Sequence, residues 1–475
     1  MTRVRPYRYC DTCLSLCPTC LRKVEGKILF QDDCVWMHKR CPKHGSFKVL
    51  LADDEAYYRR AREVFVKAPE MPNRYNTKVD YGCPYDCGVC GDHEQHGCLC
   101  IIEITDHCNL SCPICYAASG PDRQTSRSLA EIERMLDAVV ANEGEPDVVQ
   151  ISGGEPTLHP DFFAILDAAR SRPIKHLMVN TNGVRLARDR AFAERLATYR
   201  PGFELYLQFD SFEAAAHKEL RGADLRKVRE QAIAVCNELD ISVTLVVTVK
   251  KGLNDHELGR IIDYAVTQPA VRGVTVQPIQ HAGRAEGYDP GTDRLTLTEV
   301  RRKILEQTTA FKPDDILPVP CHPDSIAMAY ALKTRDGLLP LTGMVPEDTL
   351  INGARNTITF EHDPAIKDAL FSMLSTAHGP ESGTESLRKL LCCLPSVDAP
   401  DGFGYRDLFR VIIMSFADAW DIDIRSVKKS CVHIVQPDGR LIPFEPFNLL
   451  YRDSLEQQLL TPIRAQIKAA RALAD

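Results

Sequence analysis

Thr105-Asp-His-Cys108-Asn-Leu-Ser-Cys112-Pro-Ile-Cys115-Tyr116 decides how this chain is read. Three cysteines spaced C-x3-C-x2-C can hold three irons of a [4Fe–4S] cluster as thiolates and leave the fourth iron open. Such clusters ordinarily take four thiolates, so the missing ligand points to an iron that meets a substrate or cofactor. The run before it, Cys100-Ile-Ile-Glu-Ile-Thr105, has the apolar character of a short buried strand. The cysteines then sit on the loop that leaves this strand for a helix.

A second motif, Ser152-Gly153-Gly154-Glu155-Pro156, follows the apolar run from Asp147 to Ile151. Paired glycines let the backbone approach a ligand closely. Alone, Gly-Gly-Glu is a common turn; after a strand, and downstream of the cysteine loop, it carries more. Together the two motifs resemble the radical S-adenosylmethionine (SAM) enzymes. The resemblance implies that SAM chelates the open iron and that Glu155 accepts bonds from the SAM ammonium. It also implies that an electron from the cluster cleaves SAM to a 5′-deoxyadenosyl radical.

Fourteen of the nineteen cysteines lie at or before Cys115, too skewed for ordinary core packing. The opening Met-Thr-Arg-Val-Arg-Pro-Tyr-Arg has no apolar region of a secretory signal, and no run of roughly eighteen apolar residues offers a membrane span. A cytoplasmic chain is expected, in which clustered C-x2-C pairs bind metal rather than form disulfides. The C-x3-C-x2-C spacing recurs at Cys83, Cys87 and Cys90. Cys98 and Cys100 follow and can complete four-fold ligation, no strand leads in, and no Gly-Gly-Glu follows at strand spacing. This group reads as a closed auxiliary cluster, with His93 a spare ligand. Near the start, Cys17-x2-Cys20 and Cys41-x2-His44 have the spacing of a tetrahedral zinc- or rubredoxin-like knuckle, with Cys34 a competing fourth ligand. Zinc and mononuclear iron both accept thiolate. Cys10-x2-Cys13 extends that site or is inert. Cys321, the pair Cys392-Cys393 and Cys431 either converge on another auxiliary cluster or stay as buried, unligated thiols. Cys236, in an amphipathic stretch, is assigned to the core.

The 475 residues can bury several cores, and a formal charge of −7 without a basic tract argues against a nucleic-acid partner. From about 100 to 285, short apolar runs alternate with longer amphipathic ones. Strands are expected at 101–105, 148–151, 176–179, 204–208, 242–248 and 273–277. Helices are expected at 129–142, where Ser128 and Glu131 form a capping box, and at 162–169, 188–198, 225–238 and 256–265. Succeeding βα units make this an α/β fold, a partial (βα)6 TIM-type barrel. Function in such barrels gathers at the C-terminal strand ends, where Cys108, Glu155, Asn180, Asn182, Gln208 and Asp210 all fall. The four polar residues from Asn180 to Asp210 suit a ribose, a carboxylate or a substrate. The family resemblance places Gln277 beside the adenine.

Beyond 290 a helix is expected at 295–311 with Thr298 as cap, then a proline-rich linker. A final amphipathic helix, 454–473, carries Arg464, Lys468 and Arg471. It either packs on the barrel or touches a membrane surface. The chain thus divides into a knuckle at 1–70, an auxiliary iron–sulfur segment at 71–100, the barrel at 101–290 and an α+β C-terminal domain at 291–475.

The Cys-Pro-Thr-Cys knuckle, Lys-Arg-Cys-Pro-Lys-His-Gly, Gly-Cys-Pro-Tyr-Asp-Cys-Gly-Val-Cys and, near the end, Pro-Asp-Gly-Arg-Leu-Ile-Pro-Phe stand in an order that narrows the reading. Together they resemble the tetraether lipid synthase group and its bacterial relatives, formerly described as 7,8-dihydropterin methylases. The resemblance implies radical C–C coupling of two lipid tails and hydrogen abstraction from an unactivated C–H. It further implies one or two auxiliary [4Fe–4S] clusters, a mononuclear iron or zinc, a flavodoxin- or ferredoxin-type electron donor, and work at the inner membrane face. The sequence departs from the group at Ser325, at Ser430 before Cys431, and at Phe444-Glu445-Pro446, where cysteines are usual. These departures bear on a C-terminal cluster and on coupling chemistry that needs one. The alternatives are methylation of a pterin-like small molecule, peptide modification, or, outside enzymes, an electron-transfer or zinc-binding module.

Overall fold

The computed structural model describes residues 5–334, 337–352 and 407–473. Cys392 and Cys393 lie outside the described residues. A meander of four antiparallel strands comes first: β1 (Arg8–Leu16), β2 (Lys23–Gln31), β3 (Cys34–Cys41) and β4 (Gly45–Ala52). Asp32 and Asp33 both take positive φ, 55° and 57°, the two-residue geometry that suits a tight hairpin. Alternate turns of a meander stand at opposite ends. Cys17, Cys20, Cys41 and His44 therefore come from the two turns at one end, and Cys34 from the turn at the other. Helix α1 (Glu55–Glu63) follows, capped by the Asp54 side chain.

The main sheet is built from β5 (Leu99–Glu103), β7 (Val148–Ser152), β8 (His176–Thr181), β9 (Phe203–Gln208), β10 (Val243–Val249) and β11 (Val271–Pro278). The two-residue strands β6 (Ile114–Cys115) and β12 (Arg284–Ala285) pair with each other outside it. Later come β13 (Leu317–Pro318), β14 (Ile326–Thr334), β15 (Gly337–Pro340), β16 (Leu408–Met414), β17 (Val432–Val435) and β18 (Leu441–Pro443). The order is β13-β14-β16-β11-β10-β9-β8-β7-β5-β17-β18, with β15 on β14. The six expected strands lie side by side and parallel, and β16 and β17 extend them, also parallel, at either edge. No hydrogen-bonded closure joins the two ends, so the barrel is open among the described residues.

Between the strands run α2 (Leu129–Glu143), α3 (Phe162–Arg170), α4 (Val184–Arg188), α5 (Arg190–Ala197), α6 (Ala214–Arg221), α7 (Arg226–Leu239), α8 (Leu258–Thr267) and α9 (Leu297–Gln307). The Ser128–Glu131 capping box is present on α2. The helix expected over 188–198 is α5, capped by Asp189, and a short unexpected helix, α4, ends at the same residue. The cap of α9 is Thr296, paired with Glu299, rather than Thr298. Strand side chains alternate between two cores. Cys100, Ile102 and Ile104 pack with Ile132, Met135, Leu136 and Val139 of α2. Leu99 and Ile101 instead join Met414, Val432 and Phe444 inside the curl of the sheet. Cys236 belongs to the helix-side core.

The final α-helix, Thr461–Ala472, packs Ile463 and Ile467 on the inner core. Arg464 donates to the Tyr85 carbonyl (Nε···O 3.0 Å) and Arg471 to that of Asp80 (2.7 Å). No helix among the described residues is long and apolar enough to cross a membrane.

Candidate active site and metal centres

The strand-end loops on the Cys108 side line an open cavity. Cys108, Cys112 and Cys115 line it, as do Gly153, Gly154, Asn180, Asn182, Gln208 and Gln277. The two glycines explain how the motifs meet. A Cβ on Gly153 would stand 2.2 Å from the Thr105 carbonyl oxygen, and one on Gly154 2.2 Å from that of His107. Gly154 N–H donates to Thr105 (2.7 Å) and Glu155 N–H to His107 (2.9 Å). The glycine pair thus lies flat against the loop that carries Cys108. Arg284, reached through Gly283, donates to the carbonyls of Cys112 (2.5 Å) and Ser119 (2.7 Å) and fixes the loop from its other side.

Two expected cavity residues face elsewhere. Glu155 is 1% exposed and does not line the cavity. Its Oε1 accepts from the hydroxyls of Thr157 (2.6 Å) and Thr181 (2.7 Å) and from Thr157 N–H (3.2 Å), and its Oε2 from Asn182 N–H (2.7 Å). Burial nonetheless raises its carboxyl above the usual range, against the pull of those donors. It joins the β7 and β8 loops. Asp210, also fully buried, holds Arg221 through both oxygens, at 2.7 Å (Nε) and 2.6 Å (Nη2). Burial pushes its carboxyl up, but the guanidinium outweighs this and holds it below the ordinary range.

Like Gln150 and Gln280, Arg221 is a cavity residue that sequence reasoning missed. It ends α6, and Gly222 in the left-handed region closes that helix, so the Arg-Gly pair was the available signal. Gln208 Oε1 is buried with no hydrogen-bond partner among the described residues, so it can accept from a bound molecule. Asn180 Nδ2 donates to Ser152 Oγ (3.2 Å), Asn182 Nδ2 to Asn109 (2.7 Å) and Gln277 Nε2 to the Tyr206 hydroxyl (3.0 Å).

The cysteine groups fall into two spacing classes. Cys17, Cys20, Cys41 and His44 place their ligand atoms within 4.8 Å of one another. A single tetrahedral ion asks for this, at about 3.8 Å between sulfurs. Cys34, at the far turn, does not join them. The trios 83/87/90 and 108/112/115 are not drawn together this tightly, in keeping with thiolates that bind separate irons of a cluster. Burial raises the Cys108 thiol, as it does Cys112 and Cys90, so these thiols need a metal to ionise. Cys83, Cys87 and Cys90 line a separate cleft with Asp92 and His93. Cys98 is not there. Its sulfur lies with those of Cys321 and Cys431, while Cys100 is buried in the helix-side core. Cys13 packs in the ribbon core and Cys10 is exposed. At the departure positions, Ser430 Oγ donates to Glu445 (3.0 Å) and Ser325 N–H to the His322 carbonyl (3.2 Å).

Comparison with known proteins agrees with this geometry. Residues 102–265 match the Radical SAM superfamily, and residues 9–53 the HMPTM N-terminal zinc ribbon domain. The chain is 29% identical over 491 residues to 7,8-dihydro-6-hydroxymethylpterin dimethyltransferase of Methanocaldococcus jannaschii, covering 95% of this chain and 96% of that protein. It is 30% identical over 277 residues to GTP 3′,8-cyclase of Alkaliphilus oremlandii, covering 57% and 80%. A crystal structure of Streptococcus suis SuiB overlaps 45% of this chain and 46% of that one at a TM-score of 0.38 and 18% identity. With an open parallel barrel, a cysteine loop against paired glycines, and the family match and sequence relatives, the chain belongs to the radical SAM superfamily, enzymes that use a [4Fe–4S] cluster and SAM.

Proposed function

We propose that this enzyme acts on apolar tails and joins two of them by C–C coupling. The supporting observation is the apolar share of the cavity lining. Leu99, Ile101, Met414, Phe416, Val432 and Phe444 line it alongside the polar Asn180, Asn182, Gln208 and Arg221. The rings of Phe416 and Phe444 stack at 3.9 Å between centroids. A hydrocarbon tail covers these apolar side chains without giving up hydrogen bonds of its own.

In this reading Cys108, Cys112 and Cys115 hold the cluster. Gly153 and Gly154 give SAM their backbone, Gln208 Oε1 accepts from it, and Arg221 fixes the cavity wall beside Cys112. Once bound, cluster and SAM supply a 5′-deoxyadenosyl radical able to take hydrogen from an unactivated C–H, so the cofactor carries the hard step. The protein's own share is to orient both molecules and exclude water. Abstraction of this kind needs no acid or base. A low-potential donor of flavodoxin or ferredoxin type, and a cytoplasmic setting at the membrane face, complete the proposal.

A second reading, methylation of a small heterocycle, draws on the name of the Methanocaldococcus relative and on Gln150, Gln277 and Gln280, amides that also line the cavity. Mass spectrometry of total lipids separates the two. Cells expressing the intact chain should contain species that join two tails with loss of two hydrogens, and cells expressing Cys108→Ala should contain none. Unchanged lipids, from protein shown to be cluster-loaded and SAM-cleaving, would sink the coupling reading.

A further inference from the structure

We infer that Cys98, Cys321 and Cys431, completed by His96, hold one tetrahedral metal ion of the zinc class that clasps the open seam of the barrel. The inference does not depend on the substrate reading. The three thiols come from distant parts of the chain. Cys98 leads into β5 and Cys431 into β17, joined by the Leu99 N–H bond to the Cys431 carbonyl at 3.1 Å. Cys321 lies on the loop between β13 and β14. In the sheet order β13 and β14 stand at one end, and β5 and β17 beside the other. Among the described residues no strand pairing joins these ends, yet the three sulfurs meet within 4.8 Å. A crossing bond between His322 Nε2 and Ser426 Oγ, 3.1 Å, marks the same seam.

Spacing argues for one ion rather than a cluster. Cys321 Sγ and Cys431 Sγ are 3.7 Å apart, against about 3.8 Å for two thiolates on one tetrahedral ion with metal–sulfur bonds of ~2.3 Å. The N-terminal ribbon gives the same signature in this protein, with Cys20 and Cys41 at 3.9 Å. The trios 83/87/90 and 108/112/115 are not gathered within 4.8 Å as whole sets, although Cys87 does contact Cys83.

The fourth ligand is marked independently. His96 Nε2 is 3.7 Å from Cys98 Sγ, and His96 Nδ1 is held by Glu143 at 3.0 Å. A carboxylate on one ring nitrogen that leaves the other for a metal is the usual outer partner of a histidine ligand. His96 lies outside the group that the three sulfurs form within 4.8 Å, so closing a Cys3His tetrahedron requires its ring to move toward Cys321 and Cys431. All four side chains are at most 2% exposed. Soft thiolates with one imidazole select zinc over hard, oxygen-seeking cations. Leu99 and Val432, the neighbours of Cys98 and Cys431, line the cavity, so the clasp would fix its floor.

The test measures zinc and iron per chain, by inductively coupled plasma mass spectrometry, on the anaerobically purified full-length holoenzyme. Cys321→Ser and Cys431→Ser should each lose about one zinc per chain with iron unchanged. Cys17→Ser calibrates the loss of one ion from the ribbon. Iron falling instead, by any amount, overturns the proposal, as does no change in either metal. Core thiol variants can fail to fold, so Glu143→Gln, which keeps every ligand, is the second probe. It should surrender one zinc to a competing chelator about 10–100-fold more readily than wild type, at equal iron content. Unchanged retention removes His96 from the site and overturns the Cys3His assignment.

Discussion

Asp210→Ala should cost about 3–5 kcal/mol of stability, the usual penalty for removing one partner of a buried ion pair. It should also bring SAM cleavage close to background. Arg221 is 7% exposed and Arg229 1%. Arg229 Nη1 donates to the Asn182 carbonyl, and its Nε and Nη2 find no hydrogen-bond partner among the described residues. Burial lowers Arg229 to about 10, and the charge of Asp210 opposes that fall. Removing Asp210 therefore leaves two buried cations facing each other beside Cys112. The carboxylate also accepts from Thr248 N–H at 3.1 Å, and its residue sits at a φ of +69°. Relaxation would displace both Arg221 and the end of β10 from the cavity wall. The urea midpoint and 5′-deoxyadenosine yield of the cluster-loaded protein give the two readouts. The sign with pH is fixed by the depressed carboxyl. Its stabilisation is fully present above the ordinary aspartate pKa of about 3.9 and is lost as pH falls through the lower folded value. The gap between wild type and Asp210→Asn should therefore be widest at neutral pH and shrink in acid. A gap that stays constant down to strongly acidic pH would mean that Arg221 is not held by charge.

What was legible in the sequence follows from what is local. The run Val243-Thr-Leu-Val-Val-Thr-Val249 is buried almost throughout, as a parallel strand covered on both faces must be. Each of the six barrel strands therefore announced itself to within a few residues, and so did most of the helices between them, whereas the short α4 and α6 did not. The Thr296-Leu-Thr-Glu299 box was equally local, and the three-residue offset to Glu299 selects Thr296 over Thr298. The flanking strands were not legible. β16 pairs with β11 and β17 with β5 across long stretches of intervening chain, and no local pattern encodes such partners. The Asp32-Asp33 hairpin lacks the glycine that usually marks its turn. The cysteines invited ligand sets drawn from neighbours in sequence. That logic works for Cys17, Cys20, Cys41 and His44, whose two turns a meander brings to one end. It fails for Cys98, whose partners Cys321 and Cys431 arrive only when the sheet curls. Chemistry-bearing side chains were visible as types; which way Glu155 and Asp210 point depended on donors from other loops.

Glu155→Gln should lose about 1–3 kcal/mol of stability while leaving half-saturation by SAM nearly unchanged. The carboxylate receives four donors, two of them backbone N–H groups, and an amide must turn its NH2 toward at least one of them. A buried donor left facing a donor costs about 1–3 kcal/mol. Part of that cost is offset, because burial already raises the carboxyl above its usual range and a neutral amide escapes this penalty. The raised value carries its own sign: the native state keeps a proton that the unfolded chain has released. The wild-type carboxyl therefore favours folding most in acid and progressively less as pH rises through its folded value, so Glu155→Gln should look relatively better at high pH. Had the carboxylate faced the SAM ammonium, the same change would raise half-saturation for SAM strongly at unaltered stability. Thermal melting of the apo protein beside a SAM titration of 5′-deoxyadenosine formation distinguishes the two. The geometry favours the first outcome because the motif's contact with the cavity is made by Gly153 and Gly154. A methyl group on Gly154, 2.2 Å from the His107 carbonyl, should therefore be far more damaging than the loss of charge next door. It would pry the cysteine loop from β7, whereas Glu155→Gln only loosens the joint behind it.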